Sequence, residues 1–204
     1  MNETIRVAAQ AEAAAVRAFE RFEDSALLDR LADLGDQPQL RALCAATIAA
    51  GLVARRAGGG SRLALAGLRM LIAHEAATLA KNFVKRRIDR TRPRSSAKAG
   101  KDPVPSPGRR RHKEETSFPS GHSAGAAAVT RAFAREFPEY AGPAAGAAAA
   151  LALVQIPRCA HYPTDVAAGI AIGLAAEAAL GAFWPAAPEI PFQPLEEPLP
   201  CVTC

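Results

Sequence analysis

Apolar residues along the chain fall into six stretches of helical length. Residues 4–31 interleave charged side chains with alanine and larger apolar residues, a pattern typical of an amphipathic helix that lies on a surface. The five later stretches are more apolar: residues 40–54, 62–88, 123–136, 144–156 and 163–183. The pattern predicts an all-α fold, a bundle of about five apolar, membrane-embedded helices with an N-terminal amphipathic helix.

Composition divides the chain into three parts. Residues 1–36 form the amphipathic segment, residues 37–184 the helical domain, and residues 185–204 a Pro-rich tail that we expect to be disordered. The N-terminal segment alternates charge with alanine and lacks the apolar core of a signal peptide. A pair of glycines in the last helix, Gly169 and Gly173, predicts close packing against another helix.

The 62–88 helix carries a polar stripe. Four polar residues recur at spacings of 4, 3 and 4 and share one face: His74, Thr78, Lys81 and Lys85. A solvated face would explain them, but the residues between them are mostly apolar, which favours an interior or a cavity. We expect the stripe to continue to Arg92 and the helix to stop at Pro93.

The segment before the 123–136 helix has the features of an anion site. Ser120 is a good N-cap, so the backbone N–H groups of Gly121, His122 and Ser123 lie at a helix start, where unpaired donors and the helix dipole attract anions. An imidazole there, that of His122, could donate a proton to a departing oxygen. The alternative is an ordinary serine cap with a bystander histidine.

A second histidine precedes the last helix. If Pro163 opens that helix, Asp165 lies in its first turn and can reach back to His161, fixing the tautomer and making the other ring nitrogen more nucleophilic. Alternatively, Asp165 complements the helix dipole and His161 is structural. These alternatives are reasonable singly, but together with the cations and His122 they are much harder to explain by packing.

Charge is concentrated in one block of the chain. Thirteen of the 25 Lys and Arg residues lie in residues 81–113, and the net charge is +5. Such a block could bind nucleic acid, an anionic membrane or a phosphorylated substrate. Its centre, residues 94–116, is rich in Pro and Ser, and we expect it to be unpacked. Cys201 and Cys204 form a lone CxxC pair that we interpret as incidental.

Three motifs resemble the signatures of the type 2 phosphatidic acid phosphatase superfamily, which includes bacterial lipid phosphatases, nonspecific acid phosphatases and vanadium haloperoxidases. They are Lys85-x6-Arg92-Pro93, Pro119-Ser120-Gly121-His122 and Arg158…His161-x3-Asp165. The resemblance covers about residues 81–173. The third motif departs from the family pattern, because Gln155 stands where the family has arginine and Arg158 follows three residues later.

The resemblance implies a mechanism. His161 attacks phosphorus and forms a phosphohistidine, Asp165 orients it, and His122 protonates the leaving oxygen. Five residues hold the phosphate oxygens: Lys85, Arg92, Ser120, Gly121 and Arg158. No metal and no cofactor is needed.

The function expected from these residues is metal-independent hydrolysis of a lipid phosphate or diphosphate monoester, by a protein of the bacterial membrane lipid phosphatase branch. Apolar helices around the motifs favour a lipid over a soluble ester, and no nucleic-acid partner is expected. The alternatives are a vanadium-dependent haloperoxidase-like enzyme and a non-enzymatic membrane protein that binds anionic lipid. The sequence leaves open which lipid is hydrolysed, from phosphatidate to polyprenyl diphosphate, and the oligomeric state.

The sequence also predicts a location, a multi-pass protein of a bacterial inner membrane. If all five helices span, the N-terminal segment, the 94–116 loop and the 158–165 turn share one side. That side carries most of the Lys and Arg, so the positive-inside rule places it in the cytoplasm. Related bacterial lipid phosphatases commonly face the periplasm, which argues for the opposite orientation.

Overall fold

The structure, a computed structural model, describes residues 3–56, 62–100, 103–109 and 112–185. These residues are mostly helical. The eight α-helices among them are Glu3–Arg17 (α1), Ala26–Asp33 (α2), Gln37–Arg56 (α3), Arg62–Lys85 (α4), Pro93–Ala99 (α5), Gly121–Glu136 (α6), Ala141–Leu153 (α7) and Pro163–Phe183 (α8). Single 3-10 turns occur at Glu20–Phe22, Lys113–Glu115 and Pro138–Tyr140, and two short antiparallel strands pair Ile88–Asp89 (β1) with Ser106–Pro107 (β2).

Helix α6 is the centre of the bundle and packs against α4, α7 and α8, while α3 covers α4. The main core cluster joins α3, α4 and α6 through small and medium side chains: Leu40, Cys44, Met70, Ala73, Ala77, Ala128, Val129 and Ala132. Helix α8 approaches α6 closely, because a Cβ added at Gly169 would lie 2.5 Å from the carbonyl oxygen of Ser120. The close packing predicted from Gly169 and Gly173 is therefore confirmed.

The apolar pattern located the bundle helices correctly. The last helix has the predicted bounds, and α6 begins at Gly121 after an N-cap at Ser120, whose side chain accepts from the Ser123 backbone N–H at 3.4 Å. Helices α3 and α7 lie where they were predicted but begin three residues earlier, and α7 ends at Leu153.

The prediction of one N-terminal helix over residues 4–31 is wrong. The chain breaks after Arg17, turns through Glu20–Phe22, and restarts as α2 with Ser25 as N-cap. Tertiary packing favours the break, because α1 buries Ala13 and Val16 against Cys159 and Tyr162 beside the last helix. After the break, α2 places Asp29 at 2.7 Å from the Arg158 guanidinium, a second contact with the segment before the last helix.

The prediction that α4 extends to residue 88 is also wrong. Helix α4 ends at Lys85, and the chain forms β1, so Arg92 lies beyond the helix rather than on its polar stripe. Pro93 opens α5, since proline is favoured in a first helical turn. Within the stripe itself, His74 and Lys81 are buried, as expected of polar groups facing an interior.

The basic segment is more ordered than its composition predicts. Its described parts form α5, β2 and a 3-10 turn, and the backbone N–H groups of Arg90 and Arg92 donate to the carbonyl oxygens of Glu115 and Glu114 at 3.0 and 2.9 Å. Residues 101–102 and 110–111 lie outside the described residues. The same holds for 186–204, which contain Cys201, Cys204 and nearly all of the predicted tail.

Helices α4 and α8 are long and apolar enough to cross a membrane, judged by length and composition, with mean hydropathies of 1.3 and 1.8 over their most apolar windows. Helices α6 and α7 have 16 and 13 residues, short of the ~20 that a perpendicular span needs.

Candidate active site

The three predicted motifs meet at one end of the bundle, around a pocket of about 230 Å³. The pocket lies where α4 and α5 meet the starts of α6 and α8. Eight residues line it: Gly35, Asp36, Gln37, Lys85, Arg92, Gly121, His122 and His161. Five of the eight predicted site residues thus line one cavity, and the first three lining residues come from a segment outside the motifs.

His161 is buried at the inner wall of the pocket, in the short turn before α8. Burial lowers its pKa to about 4, and the positive charges of Arg92 and Lys85 act in the same direction against the opposing effect of Asp165. The imidazole is therefore neutral near pH 7 and has a free lone pair. A neutral imidazole is the form required of a nucleophile.

Asp165 lies in the first turn of α8, as predicted, and its carboxylate is fixed by two hydrogen bonds. Its Oδ1 accepts from Arg90 at 2.7 Å, and its Oδ2 accepts from the backbone N–H of Tyr162 at 3.0 Å. Asp165 Oδ2 is 3.7 Å from His161 Nδ1, too long for a hydrogen bond but close enough for charge stabilisation. The two side chains lie close, as predicted, but the hydrogen bond that would fix the tautomer of His161 is not formed, and the buried His161 Nδ1 has no hydrogen-bond partner among the described residues.

Arg90 is a residue that sequence reasoning missed. Its guanidinium is almost fully buried, donates to Asp165 and to Thr164 Oγ1 at 2.8 Å, and lies 4.0 Å from the ring centre of Tyr162. It also donates to Glu12 of α1 at 2.8 Å, and Glu12 accepts from the Thr164 N–H. Helix α1 thereby supports the turn that holds Asp165. Within the basic block, nothing in the sequence distinguished Arg90 from its neighbours.

The start of α6 is tied directly to the start of α8. The Ser120 backbone N–H donates to the carbonyl oxygen of Asp165 at 3.0 Å, and the Ser123 hydroxyl donates to Ser120 Oγ at 2.9 Å. Ser120 is fully buried, and Gly121 faces the pocket. These contacts hold the predicted anion-binding helix start beside His161.

His122 lines the same pocket as His161 and has a partner that the motifs did not indicate. Its Nε2 is 2.7 Å from Oδ1 of Asp36, in the junction between α2 and α3. Burial lowers the pKa of His122, and Arg158 and Arg92 lower it further, whereas Asp36 raises it. In the sequence, Asp36 is marked only by its place after Gly35 and just before a predicted helix, which does not indicate a histidine partner.

The cations of the first motif reach the pocket from different elements. Lys85 is the last residue of α4, and Arg92 precedes α5. Arg92 also donates to the carbonyl oxygen of Ala160, next to His161, at 3.3 Å. Two positive charges therefore border the cavity in which His161 lies.

Arg158 is near the site but is not among the residues that line the pocket. Its guanidinium donates to Asp29 at 2.8 Å and to Gln155 Oε1 at 3.2 Å. Gln155, at the family position of the arginine, is fully buried, and its backbone carbonyl oxygen accepts from the His161 backbone N–H at 3.3 Å. Gln155 thus supports the turn that holds His161, while phosphate binding by Arg158 stays a prediction.

Known proteins resemble this chain in sequence and in fold. Two proteins described as lipid A 1-phosphatases, from Rhizobium johnstonii and Rhizobium etli, are each 40% identical to it over 93 residues. Those residues are 45% of this chain but only 37% and 39% of the two relatives, so the match spans little more than a third of their length.

A solved structure supports the fold. The crystal structure of a transmembrane PAP2 type phosphatidylglycerolphosphate phosphatase from Bacillus subtilis matches with a TM-score of 0.60, covering 85% of this chain and 84% of that one. At 20% identity, this likeness concerns the fold alone.

The family assignment rests on a longer match. Residues 64–187 match the PAP2 superfamily, and this range contains all three motifs and most of the pocket. It confirms the resemblance drawn from the motifs: the chain belongs to the PAP2 superfamily.

Proposed function

We propose that this protein hydrolyses a phosphate monoester of a membrane lipid, without a metal ion, through a phosphohistidine at His161. The observation that carries the proposal is the convergence of four groups from separate segments on one pocket: Lys85, Arg92, His122 and His161. This set supplies a nucleophile, a proton donor and two fixed positive charges, the groups that phosphoryl transfer requires.

In the proposed reaction, His161 Nε2 attacks phosphorus as the bond to the ester oxygen breaks, and the proton on His122 passes to that oxygen. Water then attacks the phosphohistidine and returns a proton to His122, releasing phosphate and free His161. Charge develops on the equatorial oxygens in both steps. We assign their stabilisation to five residues: Lys85, Arg92, Ser120, Gly121 and Arg158.

The substrate class follows from the pocket's setting and from the relatives. The last turns of α4, which end at the pocket residue Lys85, expose the large apolar side chains of Leu79 and Phe83, which suits a substrate presented from a lipid phase. The relatives described as lipid A 1-phosphatases make a lipid A-like glycolipid phosphate the first substrate to test.

We also propose that the protein is embedded in a membrane. Helices α4 and α8 would span, and α3, α6 and α7 would complete the predicted bundle of five embedded helices. The division into residues 1–36, 37–184 and 185–204 is kept as part of this proposal. The pocket would face the cytoplasm, because the same end of the bundle carries most of the basic block.

The function is tested by phosphate release from the detergent-purified protein, in the presence of a chelator, across lipid and soluble phosphates. We expect release from a lipid phosphate that the chelator does not suppress. Vanadate-dependent bromination without phosphate release would support a haloperoxidase instead. Binding of anionic vesicles without either activity would support a non-enzymatic lipid-binding protein.

The orientation is tested with a single cysteine at the exposed Ser106, in a background lacking the four native cysteines. We expect an impermeant maleimide to label it only after lysis of cells. Labelling of intact cells would show that the pocket faces the outside.

A further inference from the structure

One wall of the pocket comes from outside the family motifs. The junction between α2 and α3 contributes Gly35, Asp36 and Gln37, and its Asp36 carboxylate lies 2.7 Å from His122 Nε2. Gly35 also lies against the His122 ring, because a Cβ added to Gly35 would lie 3.4 Å from His122 Cδ2. The junction therefore packs closely against the edge of the ring that carries Nε2.

We propose that Asp36 is a positioning residue that orients His122 and favours its protonated form, so that His122 can act as general acid. This inference rests on the proposed function of the pocket. With Nε2 facing Asp36, Nδ1 is the ring nitrogen left for the leaving oxygen. When its proton passes to that oxygen, the neutral imidazole keeps the proton on Nε2 beside Asp36.

The charges around His122 explain why it needs such a partner. Arg92 and Arg158 act on the ring as positive charges, and Lys85 and the neutral His161 line the same cavity. Burial and the arginines disfavour the imidazolium, and the Asp36 carboxylate opposes them. Without Asp36, the protonated form of His122 would be disfavoured further.

The ordinary role of an aspartate just before a helix is to cap it, and Asp36 directly precedes α3. Its backbone carbonyl accepts from the Leu40 N–H at 2.9 Å, as in any helix start. Among the described residues, however, no α3 backbone N–H donates to the Asp36 side chain, and its described ionic partner is His122. Asp36 is also not expected to bind the phosphate group, since a carboxylate repels phosphate.

The test replaces Asp36 by asparagine, which keeps the size but removes the charge. The control is Asp33→Asn, an exposed aspartate of the same segment. We expect D36N to lower kcat for a lipid or alkyl phosphate by at least about tenfold but for p-nitrophenyl phosphate by less than about threefold, because a good leaving group needs little acid assistance. D33N should match the wild type on both substrates, and D36E should recover part of the alkyl phosphate activity.

The pH profile separates this role from a structural one. A general acid must be protonated, so its pKa sets the high-pH limb of kcat. Removing Asp36 lowers the pKa of His122, and we expect that limb to move to lower pH in D36N but not in D33N. A structural defect would lower the whole profile without moving it.

A double variant completes the test. If Asp36 acts through His122, D36N should cost nothing further in a His122→Ala background, because coupled residues are not additive. The proposal is overturned by D36N activity equal to that of D33N, by equal losses on both substrates, by an increase in activity, or by additive losses. If the wild type releases phosphate from neither substrate, the proposed function fails instead.

Discussion

The two halves of the pocket hold their histidines in opposite ways. His161 is buried, and its carboxylate partner Asp165 is itself fully buried and paired with Arg90. His122 is 22% exposed, and its partner Asp36 is 44% exposed. The difference suits the two proposed roles, since a nucleophilic imidazole must be neutral and a general acid must be protonated when it acts. Burial lowers the pKa of both histidines, and at His122 the Asp36 carboxylate opposes that effect.

The largest expected effect on activity comes from replacing each of the two histidines in turn. His161→Ala should abolish turnover of every substrate, because no nucleophile remains, whereas His122→Ala should retain most activity on substrates with good leaving groups. Steady-state phosphate release from p-nitrophenyl phosphate and an alkyl phosphate measures both. His112→Ala is the control, since His112 is exposed. Equal kcat losses on the two substrates in the His122 variant would contradict its role as acid.

The next effect concerns the support of Asp165. Arg90→Gln leaves a fully buried carboxylate without its cationic partner, a change that typically costs about 3–5 kcal/mol of folding stability. We expect a lower Tm and a lower kcat. Arg87→Gln, at an exposed arginine of the same segment, is the control. A Tm unchanged by the Arg90 substitution would show that this network does not stabilise the turn that holds His161 and Asp165.

A smaller effect is expected in the third motif, where Arg158 and Gln155 can be compared. Arg158 is held by Asp29 and Gln155, and it lies close enough to influence His122 and Arg92. If it reaches the phosphate, Arg158→Ala should lower kcat/KM by about a hundredfold, as loss of one oxyanion donor does. A loss of less than a few-fold, with a crippling effect of Gln155→Ala, would show that the alignment of this motif is wrong.

The smallest effect is a dependence of stability on pH. The pKa of His161 is lowered from its ordinary value of 6.5 to about 4. Between these values the unfolded chain binds more protons than the folded one, so acidification destabilises the protein. The contribution is complete above about pH 6.5 and is lost as pH falls towards 4. Tm measured across this range should fall less steeply for His161→Asn than for the wild type, and parallel curves would contradict the assignment.

Local signals predicted much of this arrangement. A serine cap predicted the start of α6 at Ser120, and Pro163 followed by Asp165 predicted the start of α8. Family motifs then connected these starts with Lys85 and Arg92. Each of these residues is identified by the residues next to it in the chain, which explains why the sequence was sufficient to predict the two helix starts and the motifs.

The parts that could not be predicted depend on contacts between distant segments. Arg90 pairs with Glu12, 78 residues away, and His122 pairs with Asp36 in a junction with no motif. The end of α4 was misplaced for the same reason, because pairing of β1 with β2 overrides a helical pattern that continues past Lys85. Periodicity and spacing contain no information about such partners.

The most direct test of the central claim is to trap the phosphorylated enzyme. The protein is mixed with a lipid phosphate whose phosphate group carries radioactive phosphorus, and the reaction is stopped with base within the first turnover. Base is used because phosphohistidine is stable to alkali and labile to acid. We expect the wild type to carry acid-labile label on the peptide containing His161, and His161→Ala to carry none. Rapid release of phosphate by the wild type with no label on that peptide, or label retained in the His161 variant, would contradict the account.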